Sequence, residues 1–112
     1  MILNNDILNQ ISQYSKDNRE IEACGFVVEK DENIIFLPIV NIHPYNDLNF
    51  LISPKDYLSI KKEYKILYFF HSHPINEDFS EADLLYQKYH NLDMLLYVNG
   101  LNIFKEKKCK LI

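Results

Sequence analysis

Ile7, Leu8, Ile11 and Tyr14 fall at i, i+1, i+4 and i+7 in an otherwise polar stretch, with Asp6 ahead of them as a candidate N-cap. That stripe predicts a short amphipathic helix. Ala23 to Val28 then reads as a strand, Lys30-Asp31-Glu32-Asn33 as a polar turn, and Ile34 to Val40 as the second arm of a hairpin. Asn41 to Leu48 is patterned as a loop and Asn49 to Ile52 as a short strand. Ser53 can cap a helix and Pro54 suits its first position, so a helix is expected to run to about Tyr64. Ile66 to Phe70 is a nearly continuous apolar run of the kind that buried strands show. Ser80 to Tyr89 predicts another helix, with Ser80 at the cap and acidic residues in the first turn. Asp93 to Val98 predicts a strand, Asn99-Gly100 a two-residue hairpin turn, and Leu101 to Phe104 the returning arm. The order α-β-β-β-α-β-α-β-β describes an α/β fold, with helices packed on a central sheet.

Length and composition narrow the class. A chain of 112 residues is expected to form one domain, over residues 1-112, with one modest core. Hydrophobic residues at 47% and charged residues at 25% place it with globular chains, away from the disordered and membrane classes. No run approaches the roughly 18 apolar residues a membrane span needs, and the first residues lack a charged segment followed by an apolar one; a cytoplasmic protein with no membrane partner is expected. The net charge of -4 argues against a nucleic-acid partner, which would require a basic face. Lys105, Lys107, Lys108 and Lys110 read as a solvated last strand. Cys24 and Cys109 form no C-x-x-C pair and are expected to be buried free thiols.

The chemistry concentrates at Phe69-Phe70-His71-Ser72-His73-Pro74. At a strand end, residues i and i+2 point to the same face, so both imidazoles can converge on one ion at about 2.0 to 2.1 Å. A catalytic zinc keeps three protein ligands and an open position, and Asp83, in the first turn of the next helix, is placed to be the third. Each feature has a plainer reading: two histidines on an exposed strand end, and Ser80 with Asp83 as a helix cap. Their conjunction in adjoining elements favours a metal site. Glu22, before the first hairpin, by itself reads as a strand terminus sharing a face with Cys24, Phe26 and Val28. The H-x-E with P-C-x-x-C of zinc deaminases and the H-E-x-x-H of zincins are absent. His43 and His90, the remaining histidines, are expected to be ordinary surface or loop residues, which argues against a two-metal phosphoesterase.

Glu22-Ala23-Cys24-Gly25-Phe26, His71-Ser72-His73-Pro74 and Ser80-Glu81-Ala82-Asp83 resemble the E…H-S-H-P…S-x-x-D signature of the JAMM (MPN-domain) zinc metallopeptidases. Asn41, the stretch Asn49 to Tyr57 and the apolar strand before His71 are similar to the JAMM domain of bacteriophage tail assembly proteins, the lambda K-like group. The resemblance implies a mixed central sheet flanked by helices, with cytidine-deaminase-like architecture. It implies Zn2+ held by His71, His73 and Asp83, with Glu22 as general acid/base and Ser80 as a donor to the oxyanion. It implies a peptidase or isopeptidase acting on a protein or peptide, with phage tail proteins and peptidoglycan stem peptides as candidate partners. The place of action would then be the host cytoplasm during assembly, and the virion tail. Phage relatives commonly carry a second, cysteine-peptidase domain, and its lack here implies a stand-alone subunit. A catalytically silent MPN-like adaptor of a tail assembly is the alternative from another class. Two departures bear on the site: six residues separate His73 from Ser80, one fewer than is usual in the family, and Phe79 stands where proline is common.

Overall fold

The computed structural model describes residues 3–109. In chain order it contains α1 (Asn5–Asp17), β1 (Cys24–Lys30), β2 (Asn33–Ile39), α2 (Pro54–Glu63), β3 (Lys65–His73), α3 (Glu81–His90), β4 (Met94–Val98) and β5 (Ile103–Lys107). The strands form one mixed five-stranded sheet in the order β2-β1-β3-β4-β5. Among the described residues only β3 and β4 pair in parallel, and α3 is the crossover that such a pair requires.

Alternation along the strands sorts the core into two layers. Val27, Phe36, Tyr68, Phe70, Leu95 and Tyr97 pack with Ile7 and Ile11 of α1 on one face. Cys24, Phe26, Val28, Phe69 and Met94 form the other face, with Ile60 and Tyr57 of α2 and Tyr86 of α3 packed over it. Period-2 alternation therefore sends Phe69, His71 and His73 toward α2 and α3, and Tyr68, Phe70 and Ser72 toward α1.

Several expectations are corrected. The cap of α1 is Asn4, whose side chain accepts from the Ile7 N–H, and Asp6 lies in the first turn. Asn49 to Ile52 is not a strand: the Leu51 N–H bonds to the Asn41 side chain, while Phe50 and Ile52 pack inward from a loop. The β3 strand runs on through His71 and His73, past the apolar stretch, because β1 and β4 supply partners there. Asn99-Gly100 does not make a two-residue turn; the β4–β5 connection spans residues 99–102, with Asn102 at φ 52° and Gly100 at negative φ. Gly100 is required for a different reason, since a Cβ there would lie 2.9 Å from the Pro74 carbonyl oxygen, to which its N–H donates. The tight two-residue turn falls instead at Asp31-Glu32, both at positive φ, between the paired residues Lys30 and Asn33. Of the two cysteines, Cys24 is buried and Cys109 only half-buried. Lys105 and Lys107 do lie on the last strand, while Lys110 falls outside the described residues.

Candidate metal centre

The site sits where the carboxyl end of β3 meets the N-terminus of α3, the crevice that open α/β sheets leave for ligands. The antiparallel register between β1 and β3 sets its first contact. Cys24 is opposite His71, and the Ala23 carbonyl accepts from the Ser72 N–H, so continuing that register two residues further puts Glu22 beside His73. Ser72, pointing to the other face, fastens the pairing by accepting the Ala23 N–H on its Oγ at 2.9 Å. Glu22, His71 and His73 are all buried, with one donor atom from each lying within 4.8 Å of the others, a group that could bind a metal ion.

Asp83 approaches the histidines more closely still. Its Oδ2 lies 3.0 Å from His71 Nε2 and 3.4 Å from His73 Nε2. Two ligands each about 2.0 to 2.1 Å from a tetrahedral zinc lie about 3.3 Å apart, so these separations are compatible with a shared ion as well as with an ion pair. The His71 pair is close but not aligned as a hydrogen bond, and neither ring nitrogen of this fully buried imidazole has a hydrogen-bond partner among the described residues. Buried polar atoms are normally partnered, and an ion on the Nε2 side would supply what that atom lacks. His73 Nδ1 lies 3.0 Å from the Asn76 carbonyl oxygen, which fixes the tautomer with Nδ1–H donating and the Nε2 lone pair facing the site. The residues present fit a zinc ion.

The short loop before α3 does not carry Asp83 away. Ser80 and Asp83 form a reciprocal capping box: the Asp83 N–H donates to Ser80 Oγ at 3.0 Å and the Ser80 N–H to Asp83 Oδ2 at 2.8 Å. The box aims the carboxylate back across the helix end, toward the histidines. Phe79, at the position where proline is common, packs beside His71 with ring centroids 6.2 Å apart, and Phe50 and Phe69 close the other sides at 4.9 and 5.7 Å.

The charges respond to this enclosure. Burial pushes the Glu22 carboxyl up to about 7; His73 opposes the shift and Asp83 adds to it. Burial also raises the Asp83 carboxyl, but His71 and His73 outweigh it and hold the group well below the usual carboxylate range. Burial dominates at His71 and lowers its pKa, whereas at His73 the Asp83 carboxylate, the Asn76 carbonyl and Glu22 overcome burial and raise it. A cleft of about 430 Å³ opens above the group, lined by Glu22, His73, Ser80 and Asp83, by Asp47, Leu48, Asn49 and Phe50 on one wall, and by Glu81, Ala82 and Tyr86 on the other. His71 lies behind this surface.

Of the five residues singled out from the sequence, Glu22, His73, Ser80 and Asp83 thus line one cleft, and His71 stands behind it against Asp83. Sequence reasoning missed the part taken by Asn41, whose side chain bonds the Glu22 carbonyl, and by Asn76, which orients His73. His43 and His90 lie away from the site, His43 in the loop after β2 and His90 among Tyr57, Tyr86 and Tyr89.

A family model described as prokaryotic homologs of the JAB domain matches residues 4–109, and the chain belongs to that family. Its five-stranded mixed sheet flanked by helices is a JAB/MPN-like fold. Among solved structures it is similar to the solution structure of protein DSY2949 from Desulfitobacterium hafniense, with a TM-score of 0.66 and 17% identity over 93% of this chain and 87% of that one. At that identity the likeness shows the fold alone. No curated protein matches the chain.

Proposed function

We propose that the protein is a zinc-dependent peptidase or isopeptidase, with His71, His73 and Asp83 as the metal ligands and Glu22 and Ser80 as the groups that act on substrate. The observation that carries this reading is the placing of Asp83 Oδ2 at 3.0 and 3.4 Å from the two histidine Nε2 atoms, beside an open cleft that Glu22 also lines. Bound zinc would polarise an amide carbonyl and lower the pKa of a water from about 15.7 to about 7. Glu22, whose own pKa is raised to about 7, is matched to take a proton near neutrality and return it to the leaving amine. Ser80 Oγ accepts from the Asp83 N–H, which leaves its hydroxyl proton free to point into the cleft at a carbonyl oxygen. Such a donor is worth about 3 kcal/mol to a developing oxyanion.

Metal analysis tests the site. The purified protein is expected to hold about one zinc per chain, and His71→Ala and Asp83→Ala to lose it; a parent that takes up no zinc on reconstitution rules the proposal out. Glu22→Gln should keep the metal and lose turnover.

The substrate we propose is a protein or peptide of a phage tail assembly, or a peptidoglycan stem peptide, met in the host cytoplasm or at the virion tail. This rests on the similarity of Asn41 and of Asn49 to Tyr57 to phage tail JAMM domains, and defined fragments released by the zinc-loaded protein from co-expressed tail proteins or from muropeptides would support it. A silent adaptor is the competing reading, favoured by Tyr45, Leu85 and Tyr89, which are 67%, 66% and 85% exposed and offer contact surface. Turnover that Glu22→Gln abolishes would exclude it.

A further inference from the structure

We propose that Asn41 is a positioning residue, which holds Glu22 and the cleft wall of residues 42–50 in register with the metal centre; the proposal rests on the reading of Glu22 given above. Asn41 is 7% exposed, and its carboxamide is engaged on every side. Its Nδ2 donates to the Glu22 carbonyl at 2.8 Å and the Asn49 carbonyl at 2.9 Å, with the Asn46 carbonyl at 3.4 Å. Its Oδ1 accepts the N–H groups of His43 and Leu51, each at 3.0 Å. With carbonyls on one end and N–H groups on the other, the amide orientation is fixed, because a flipped carboxamide would oppose like to like at each contact.

The loop closes on itself at both ends. The Ile42 N–H donates to the Leu51 carbonyl, and the Glu22 N–H donates to the Asn46 carbonyl at 2.6 Å. Glu22 precedes β1 and has no ladder bond of its own in the sheet. Its backbone is therefore held from the loop on both sides, through its N–H by Asn46 and through its carbonyl by Asn41. Asp47, Leu48, Asn49 and Phe50, which wall the cleft, belong to the same loop. One side chain thus sets where the carboxylate stands and where a substrate would lie against it. The proposed zinc ligands come from β3 and α3, and their backbone is held by the sheet and the helix, the loop touching them through Phe50 beside His71.

Asn41→Asp tests the proposal with nearly unchanged shape, since it replaces the donating end with an oxygen facing the Glu22 and Asn49 carbonyls. Hydrogen exchange at the amides of Glu22 and Ile42, whose bonds to the Asn46 and Leu51 carbonyls close the loop, should accelerate by about tenfold or more, while Phe69, bonded to the Asp93 carbonyl, keeps its parent rate. Cobalt-loaded Asn41→Asp should bind one ion per chain as the parent does. Its visible d–d spectrum should shift as that of cobalt-loaded Glu22→Ala shifts. A parent-like spectrum, unchanged loop exchange, or acceleration spread equally over the whole sheet would each overturn the proposal. If Asn41→Asp does not fold, Asn41→Ser carries the same two readouts; unfolding of both assigns Asn41 to global stability and overturns it. A parent that binds no cobalt would sink the metal reading instead, and the exchange experiment would still decide whether Asn41 holds Glu22.

Discussion

Glu22 and His73 share a buried corner in which both pKa values are raised, so each makes the metal-free protein less stable as the pH climbs. Glu22 is raised from its ordinary value to about 7, so it favours the folded state when protonated; that contribution is complete below about pH 4.5 and disappears as the pH climbs to about 7. His73 is raised too, and its contribution is present below its unfolded value and lost as the pH rises through its folded one. Asp83 is depressed, so its contribution holds throughout this window and is lost only toward acid. His71, whose pKa burial lowers, acts the other way and favours the folded state as the pH rises. The Glu22 part is therefore read by difference: between pH 5 and pH 8 the melting temperature of metal-free Glu22→Gln should fall less, or rise more, than that of the parent. The Glu22 share is on the order of 2 kcal/mol. Equal changes in melting temperature from pH 5 to pH 8 in the two proteins would contradict this account.

The cysteines give a second test at the same scale. Burial, and the nearby Glu22 carboxylate, push the Cys24 thiol up to about 12, and no part of the residue is exposed. A buried, protonated thiol is a poor nucleophile. Iodoacetamide at pH 8 should modify Cys109 and spare Cys24 in the native protein, as mass mapping of the alkylated peptides would show.

Among the elements, the β1–β2 hairpin carries two local constraints. Gly25 allows β2 to approach, for a Cβ at that position would sit 2.4 Å from the Leu37 carbonyl oxygen. Gly25→Ala should cost about 1 to 3 kcal/mol in chemical denaturation, as overpacking does. At the turn, Glu32 adopts φ 68° without being glycine. Left-handed backbone costs a residue with a Cβ about 1 to 2 kcal/mol, so Glu32→Gly should raise stability by about 1 kcal/mol. No gain in the denaturation midpoint would show that the turn carries no such strain.

These elements also show what the sequence could and could not disclose. The helices and the five sheet strands follow from periodicity and capping, since Ile7 and Ile11, Pro54, and Ser80 with Asp83 are local signals. Asn49 to Ile52 has the pattern of a strand because Phe50 and Ile52 face the core, but it is a loop whose backbone bonds to the Asn41 side chain and to Ile42 rather than to a sheet. Glu22 carried no local signal for a site. Its place beside His73 depends on a β1–β3 register that joins residues far apart in the chain, and only the resemblance to a family motif pointed to it.

For the whole molecule, the two halves of the centre belong to different elements: His71 and His73 to β3, Asp83 to α3. An ion bound by all three would tie the helix to the sheet, and the native state alone presents the set. Zinc at about 100 times its dissociation constant should stabilise the protein by about 2.7 kcal/mol, and Asp83→Ala should abolish that gain. Because binding displaces protons, the stabilisation should be larger at pH 8 than at pH 5.

The bond from the Ala23 N–H to Ser72 Oγ closes a span of 49 residues. During synthesis the β1–β2 hairpin can form early from local contacts, with Glu22 at its base, and must then wait for about thirty further residues, from Ile39 to His71, before the first of the two histidines is made. Closure over such a distance is slow and costly in chain entropy, so it comes with the assembly of the sheet rather than before it. An unfinished chain offers Glu22 with no histidine partner from β3, and it has no centre to capture the wrong ion. Any ion that this group binds could therefore load only once β3 has joined the sheet.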